Sequence, residues 1–109
     1  MKGKTERLSA VQAAACLDAL GSETRLQIYR LLVRAGPEGL NVGEVQRHTA
    51  IPPSTLSHHL AALTRTGLVA QERRGRAIVC RAVYPRMRGL IGYLTEQCCA
   101  GIAADADAA

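Results

Sequence analysis

The 109-residue chain has no phenylalanine, no tryptophan and only three tyrosines. A core without aromatic bulk has to be packed from Leu, Val, Ile and Ala, which favours helix against helix over an aromatic-rich sandwich. No stretch approaches the roughly 18 consecutive apolar residues of a membrane span, so no membrane partner is expected. The opening run MKGKTERLSAV lacks the apolar centre of a secretory signal, and the expected location is cytoplasmic. Acidic residues are the scarcer charge: 9 Asp and Glu stand against 14 Lys and Arg, a formal +5. That balance suits a polyanion, although where the charges sit matters more than their sum. No nucleophile–base pair, phosphate-cradling loop or paired carboxylates stand out, so the chain is not expected to be an enzyme.

The length suits one domain over residues 1–109, with flexible tails expected at 1–7 and 100–109. Four cysteines are present, Cys16, Cys80, Cys98 and Cys99. In a reducing compartment these are not a disulfide framework, which leaves packing, metal or metalloid binding, or redox sensing.

The chain reads as a series of helices with clear start and stop signals. Ser9 and Gln12 form a capping box for a first helix through Leu20, which Gly21 ends. Ser22 caps a second helix whose Leu26, Tyr29 or Arg30, and Val33 lie along one side, with Ile28, Leu31 and Leu32 broadening the buried surface until almost all of it is core; Gly36-Pro37 stops it. Asn41 and Glu44 form another capping box for a short helix to His48 or Thr49, with Val42 and Val45 inward. After a turn at Ala50 and Ile51, a fourth helix starts near Pro53 and runs to Gly67. Leu56, Leu60 and Leu63 recur at i, i+4, i+7 and define its buried stripe. Ser54, Ser57, His58, Ala61 and Arg65 then fall on the opposite face. Beyond Gly67 the period changes, and Leu68–Glu72 and Ala77–Val83 read as strands about a turn at Arg73-Arg74-Gly75-Arg76. Pro85 opens a last helix, about Arg86 to Cys99, with Met87, Leu90, Ile91, Leu94 and Cys98 on one stripe.

Two short helices joined by a tight turn, the second polar on its outer face, make a helix-turn-helix. Small hydroxyls and an imidazole allow such a helix to lie deep in a major groove, and a hairpin tipped with arginines suits phosphate. The expected fold is mainly α with a small β-hairpin, a winged helix-turn-helix of four helices, a two-stranded wing and a fifth helix. Because the first and last helices have apolar faces left over, a two-fold homodimer is expected. An inverted-repeat operator follows from that symmetry.

The order of elements and the run STLSHHLAALTRTGLVAQERRGR resemble the ArsR/SmtB family of bacterial winged-helix repressors, cytoplasmic dimers released from operator DNA by metals or metalloids. The likeness covers about residues 8 to 99. It includes LGSETRLQIYRLL of the second helix and the S-x-H-L run carried by Ser57, His59 and Leu60. The resemblance implies that Ser54, Thr55, Ser57 and His58 face the groove. Arg65 joins that surface, and Arg73, Arg74 and Arg76 touch the backbone. His59, near Leu56 and Leu63 on the helix wheel, is expected to be a buried or phosphate-facing structural histidine. Many arsenic-responsive members carry Cys-Val-Cys at the start of the third helix, where this chain has Asn41-Val42-Gly43. Zinc-responsive members use Asp, His and Glu across paired last helices, where only Glu96 is available here. His48, His58 and His59 lack the spacing of a zinc site. The vicinal pair in YLTEQCCAG is similar to a branch of arsenic repressors that place their thiols there.

Trivalent arsenic is thiophilic, so Cys80, Cys98 and Cys99 are the expected ligand set, with Cys16 a small buried hydrophobe. Adjacent helical residues point about 100° apart, which makes Cys98 and Cys99 alone a poor chelate unless the helix frays. Cys80 is expected to meet Cys98, the last helix running back along the strand after Pro85. The inducer would be arsenite if three thiolates bind, or a monosubstituted organoarsenical if two do; no other cofactor is required. Two further readings share these residues: a redox or reactive-sulfur sensor of the same fold, and a metalloid carrier without DNA function. A carrier would have no use for the arginine wing.

Overall fold

The computed structural model describes residues 5–102. In chain order the elements are α1 (Ala10–Leu20), α2 (Glu23–Ala35), β1 (Leu40–Asn41), α3 (Val42–Thr49), α4 (Pro53–Arg65), β2 (Val69–Arg74), β3 (Ala77–Ala82) and α5 (Tyr84–Thr95). The start signals act as expected. Ser9 and Gln12 close a reciprocal capping box on α1, and Asn41 and Glu44 close another on α3, so orphan amides at both helix starts are satisfied. The Ser22 side chain accepts from the amide of Arg25 at the head of α2. Ala50 takes a left-handed conformation after α3 and turns the chain toward α4.

The core is aliphatic. Ile28 and Leu32 of α2, Val45 of α3, and Leu56, Leu60 and Leu63 of α4 are buried together with Leu68, Val69, Cys16 and Cys80. Each fully buried leucine contributes roughly 2 kcal/mol. On α2 the inward face is Ile28, Tyr29 and Leu32, whereas Leu26 is exposed. The line expected through Leu26 is therefore not the buried one, which runs through Ile28 and Leu32 instead. None of the described helices is long and apolar enough to cross a membrane.

The wing is larger than a two-stranded hairpin. β1 adds a third strand, in the order β1-β3-β2, with Leu40 opposite Cys80 and Asn41 opposite Val79. Two residues have no periodicity to read, and this strand exists because β3 offers it an edge. The β2–β3 turn is tighter than expected: Arg74 pairs with Ala77 across Gly75 and Arg76, so Arg73 and Arg74 lie in the strand. α5 ends at Thr95, a turn earlier than its apolar stripe suggested, leaving Glu96–Cys99 as turn.

Flexible tails over 1–7 and 100–109 fall partly on residues 1–4 and 103–109, which lie outside the described residues. Glu6 is held in place. Its amide donates to the Pro85 carbonyl at 3.2 Å, and its carboxylate lies 2.7 Å from Arg86 Nε. The Arg86 contact is ionic and lacks hydrogen-bond alignment.

Gly39 takes φ +71°, and a Cβ there would collide with the carbonyl oxygen of Cys80 on the neighbouring strand. Gly75, at φ +61°, has open space around it. Gly39→Ala should therefore cost roughly 3 kcal/mol or more, whereas Gly75→Ala should cost only about 1 kcal/mol for its backbone conformation. Urea unfolding of the two variants measures the difference; equal losses would mean that β1 does not pack closely on β3.

Candidate nucleic-acid interface and thiol pair

The buried stripe of α4 fixes which way its other face points. With Leu56, Leu60 and Leu63 fully inside, Ser54, Thr55, Ser57, His58 and Arg65 are all exposed. Pro52 and Pro53 start the helix, and no side chain caps it, so its first free amides stay available to an acceptor from outside. His59 departs from this face. It is half-buried, with Nδ1 3.4 Å from Arg25 Nη1, while Arg25 Nε donates to the Ala19 carbonyl at 2.7 Å. One guanidinium thus links the end of α1, the start of α2 and the middle of α4. Burial, then the Arg25 charge, then His58, lower the His59 pKa and keep it neutral. This is the structural role expected for His59.

Arg73, Arg74 and Arg76 are exposed on the wing. They are not equivalent. Arg74 lies 3.3 Å from Glu72, which also holds Arg81 at 3.1 Å. The hydrogen bond and charge of Arg74 keep the Glu72 carboxyl below its ordinary range. Among the described residues Arg73 and Arg76 have no ion pair. Sequence reasoning missed Glu72 and Arg81, because a cross-strand carboxylate between two arginines emerges only from the register. A groove of about 610 Å³ runs between the start of α3 at Asn41 and Gly43, Ser57 and Ala61 of α4, and Gln71 and Arg76 of the wing.

The four thiols divide into two kinds. Cys16 is buried with Sγ 3.7 Å from the Thr66 carbonyl. Cys80 is buried at the centre of the sheet, where Gln71 Nε2 reaches its sulfur at 3.6 Å. Burial raises the Cys80 thiol pKa, and the Gln71 contact opposes that only partly. Cys98 and Cys99 are exposed on the turn after α5, with their sulfurs 3.6 Å apart. Two features bring them together. The helix has already ended, and Cys99 takes φ +61°, a left-handed conformation rare for a residue with a side chain. The fraying that adjacent thiols need is built into the fold.

The expected meeting of Cys80 with Cys98 is not formed within one chain. β3 is the central strand and packs under α2 and α3, whereas α5 turns away to lie on α1. No group of three or more His, Cys, Asp or Glu residues suited to a metal ion occurs among the described residues, so Cys80, Cys98 and Cys99 form no three-thiolate cluster in a single subunit.

A helix-turn-helix domain family matches residues 20–72. The transcriptional regulator YgaV of Escherichia coli is 33% identical over 91 residues, covering 84% of this chain and 90% of YgaV. A Halobacterium salinarum protein assigned as the arsenical resistance operon repressor ArsR is 42% identical over 60 residues, covering 55% of this chain and 46% of that one. Among solved structures, Mb0332 from Mycobacterium bovis is a homodimeric winged helix-turn-helix DNA-binding domain assigned to the ArsR family. It matches with TM-score 0.64 at 26% identity, over 96% of this chain and 100% of that one. These relatives are regulators and not enzymes, and the chain belongs to the ArsR/SmtB family of DNA-binding winged helix-turn-helix transcriptional regulators.

Proposed function

We propose that the chain is a homodimeric repressor, released from an inverted-repeat operator when a trivalent arsenical binds Cys98 and Cys99. The observation that carries the inducer is the pair of solvent-exposed sulfurs 3.6 Å apart on a left-handed turn. A soft, thiophilic centre selects thiolates, and adjacent sulfurs offer it two. A monosubstituted organoarsenical fits that number, because its carbon substituent occupies the third position. Binding exchanges two arsenic-bound hydroxides for two thiolates. Two As–S bonds form, the thiol protons leave with the hydroxides as water, and no electrons are transferred. Arsenite would need a third thiol, which one subunit does not supply nearby. The likeness to the Halobacterium ArsR supports an arsenical, although YgaV, matched over more of this chain, carries no such assignment. The site of action would be the cytoplasm, where thiols stay reduced.

Ser54, Thr55, Ser57 and His58 would read base edges. Arg65, Arg73, Arg74 and Arg76 would sit against phosphates, with one strand tracking the groove between α4 and the wing. Dimerisation would cover apolar side chains that one subunit leaves bare: Val11 is 79% exposed on α1, and Ile91 and Leu94 are 54% and 59% exposed on α5. The thiol pair then lies at the end of the dimerisation helix, so fixing its turn alters how α5 meets the second copy and how far apart the two reading helices stand. Lowering operator affinity about 100-fold to 1000-fold takes roughly 3 to 4 kcal/mol.

Operator complexes of the native protein and of each Cys→Ser variant, titrated with phenylarsine oxide, arsenite, zinc and peroxide, test the inducer. Cys98→Ser and Cys99→Ser should bind operator as the native protein does but resist release by phenylarsine oxide. Cys16→Ser and Cys80→Ser should release normally. Release of the Cys98→Ser or Cys99→Ser complex by the arsenical would refute the pair as the site, and release by peroxide alone would replace the arsenical with a redox signal.

The DNA surface predicts a division of labour. Arg73→Ala or Arg76→Ala should weaken all duplexes alike and reduce the salt slope by about one. Arg74→Ala should do less, because Glu72 already offsets its charge. Ser57→Ala and His58→Ala should chiefly blunt sequence preference. An unchanged salt slope in the Arg76 variant would take the wing off the DNA.

A further inference from the structure

A second cleft, of about 610 Å³, opens between α2, the last turn of α3 and the first turns of α5. It is separate from the thiol pair and from the groove beside the wing. Arg30, Arg34 and Leu31 of α2, His48 of α3 and Met87 of α5 line it, and none of its lining residues is acidic. Arg30 and Arg34 are one helical turn apart on the same face. Among the described residues neither is in an ion pair, so two guanidinium groups share the edge of a concavity without a counter-charge.

Tyr29 also lines the cleft, and its hydroxyl is cut off from solvent with no hydrogen-bond partner. A buried donor left unpaired costs about 1 to 3 kcal/mol, and such groups call for an explanation. Burial chiefly, with Cys16 and Tyr84 nearby, pushes its pKa up to about 12, so the hydroxyl stays protonated. The site therefore combines two fixed positive charges and an apolar wall, with the Tyr29 hydroxyl closed off from the cleft. The Thr49 hydroxyl at its rim is already used by the Val45 carbonyl.

We propose that this cleft binds a small organic acid, with its carboxylate at Arg30 and Arg34 and its apolar body against Leu31 and Met87. Two guanidinium groups with no carboxylate in the lining select an anion, and the apolar wall selects a carbon skeleton over inorganic phosphate. The planar donor fork of arginine matches a carboxylate. A nucleic-acid strand suits the position less well, because the cleft lies at the opposite end of α3 from the wing. The ligand would be a second effector, independent of the thiols.

Benzoate is a suitable probe. Calorimetry on the full-length protein should show saturable binding with a Kd of about 1 mM or tighter, and a rise in Tm that chloride at equal ionic strength does not produce. Arg34→Ala, an exposed position that leaves the core untouched, should weaken binding at least tenfold. Tyr29→Phe should bind as the native protein does, because that hydroxyl is closed off from the cleft. The Cys98→Ser and Cys99→Ser variants should bind benzoate as the native protein does, which separates this site from the arsenical reading. No saturable binding at ten times that concentration would overturn the proposal, as would binding that Arg34→Ala leaves unchanged. Equal competition by inorganic phosphate would reduce the site to unspecific charge, and occlusion of Arg34 in the native dimer would abolish binding and reject it.

Discussion

The burial of Leu56, Leu60 and Leu63 of α4 against the aliphatic core is the contact on which the rest depends. Three leucines at helical spacing, each worth roughly 2 kcal/mol, fix the rotation of the helix about its own axis. Turning it by one residue would bring serine or histidine into the core and leave their polar groups unpaired. The outer face is thus held outward by the inner one. Arg25 reinforces the arrangement from the side, because it is bonded to the Ala19 carbonyl and to His59 at once. The wing is placed relative to α4 by the backbone, as Leu68 and Val69 are buried immediately after the helix and Val83 donates to the Leu68 carbonyl.

Strain and unpaired groups are located away from this framework. Cys99 sits in a left-handed turn beyond the last helix, and the Tyr29 hydroxyl is buried without a partner. Both are where a molecule designed only for stability would differ. The two cysteines that need no solvent, Cys16 and Cys80, are packed as small apolar groups. The two with thiols in water are adjacent.

Much of the fold was legible because its signals are local. Capping boxes at Ser9 and Asn41, the Pro52-Pro53 start of α4 and the i, i+4, i+7 leucines each act within a turn or two of chain, and each falls where the sequence implied. What the sequence could not supply depends on distant neighbours. β1 is two residues long and exists through its pairing with β3, Leu26 is left exposed while Ile28 and Leu32 are buried, and Glu72 meets Arg74 and Arg81 only once the register is set. The thiols show the same division. The pattern picked out Cys98 and Cys99, but the partner expected for them, Cys80, is shut in by α2 and α3, and the early end of α5 supplies the geometry instead. That ending has no strong stop signal, since the stripe through Cys98 favours continuing.

The central claim is that two copies of this framework present their α4 helices to successive major grooves. Footprinting of the native protein on its operator tests it most directly. Two symmetric protected half-sites with centres about 34 to 36 Å apart are expected. Protection of a single half-site, or even protection along any duplex, would contradict it.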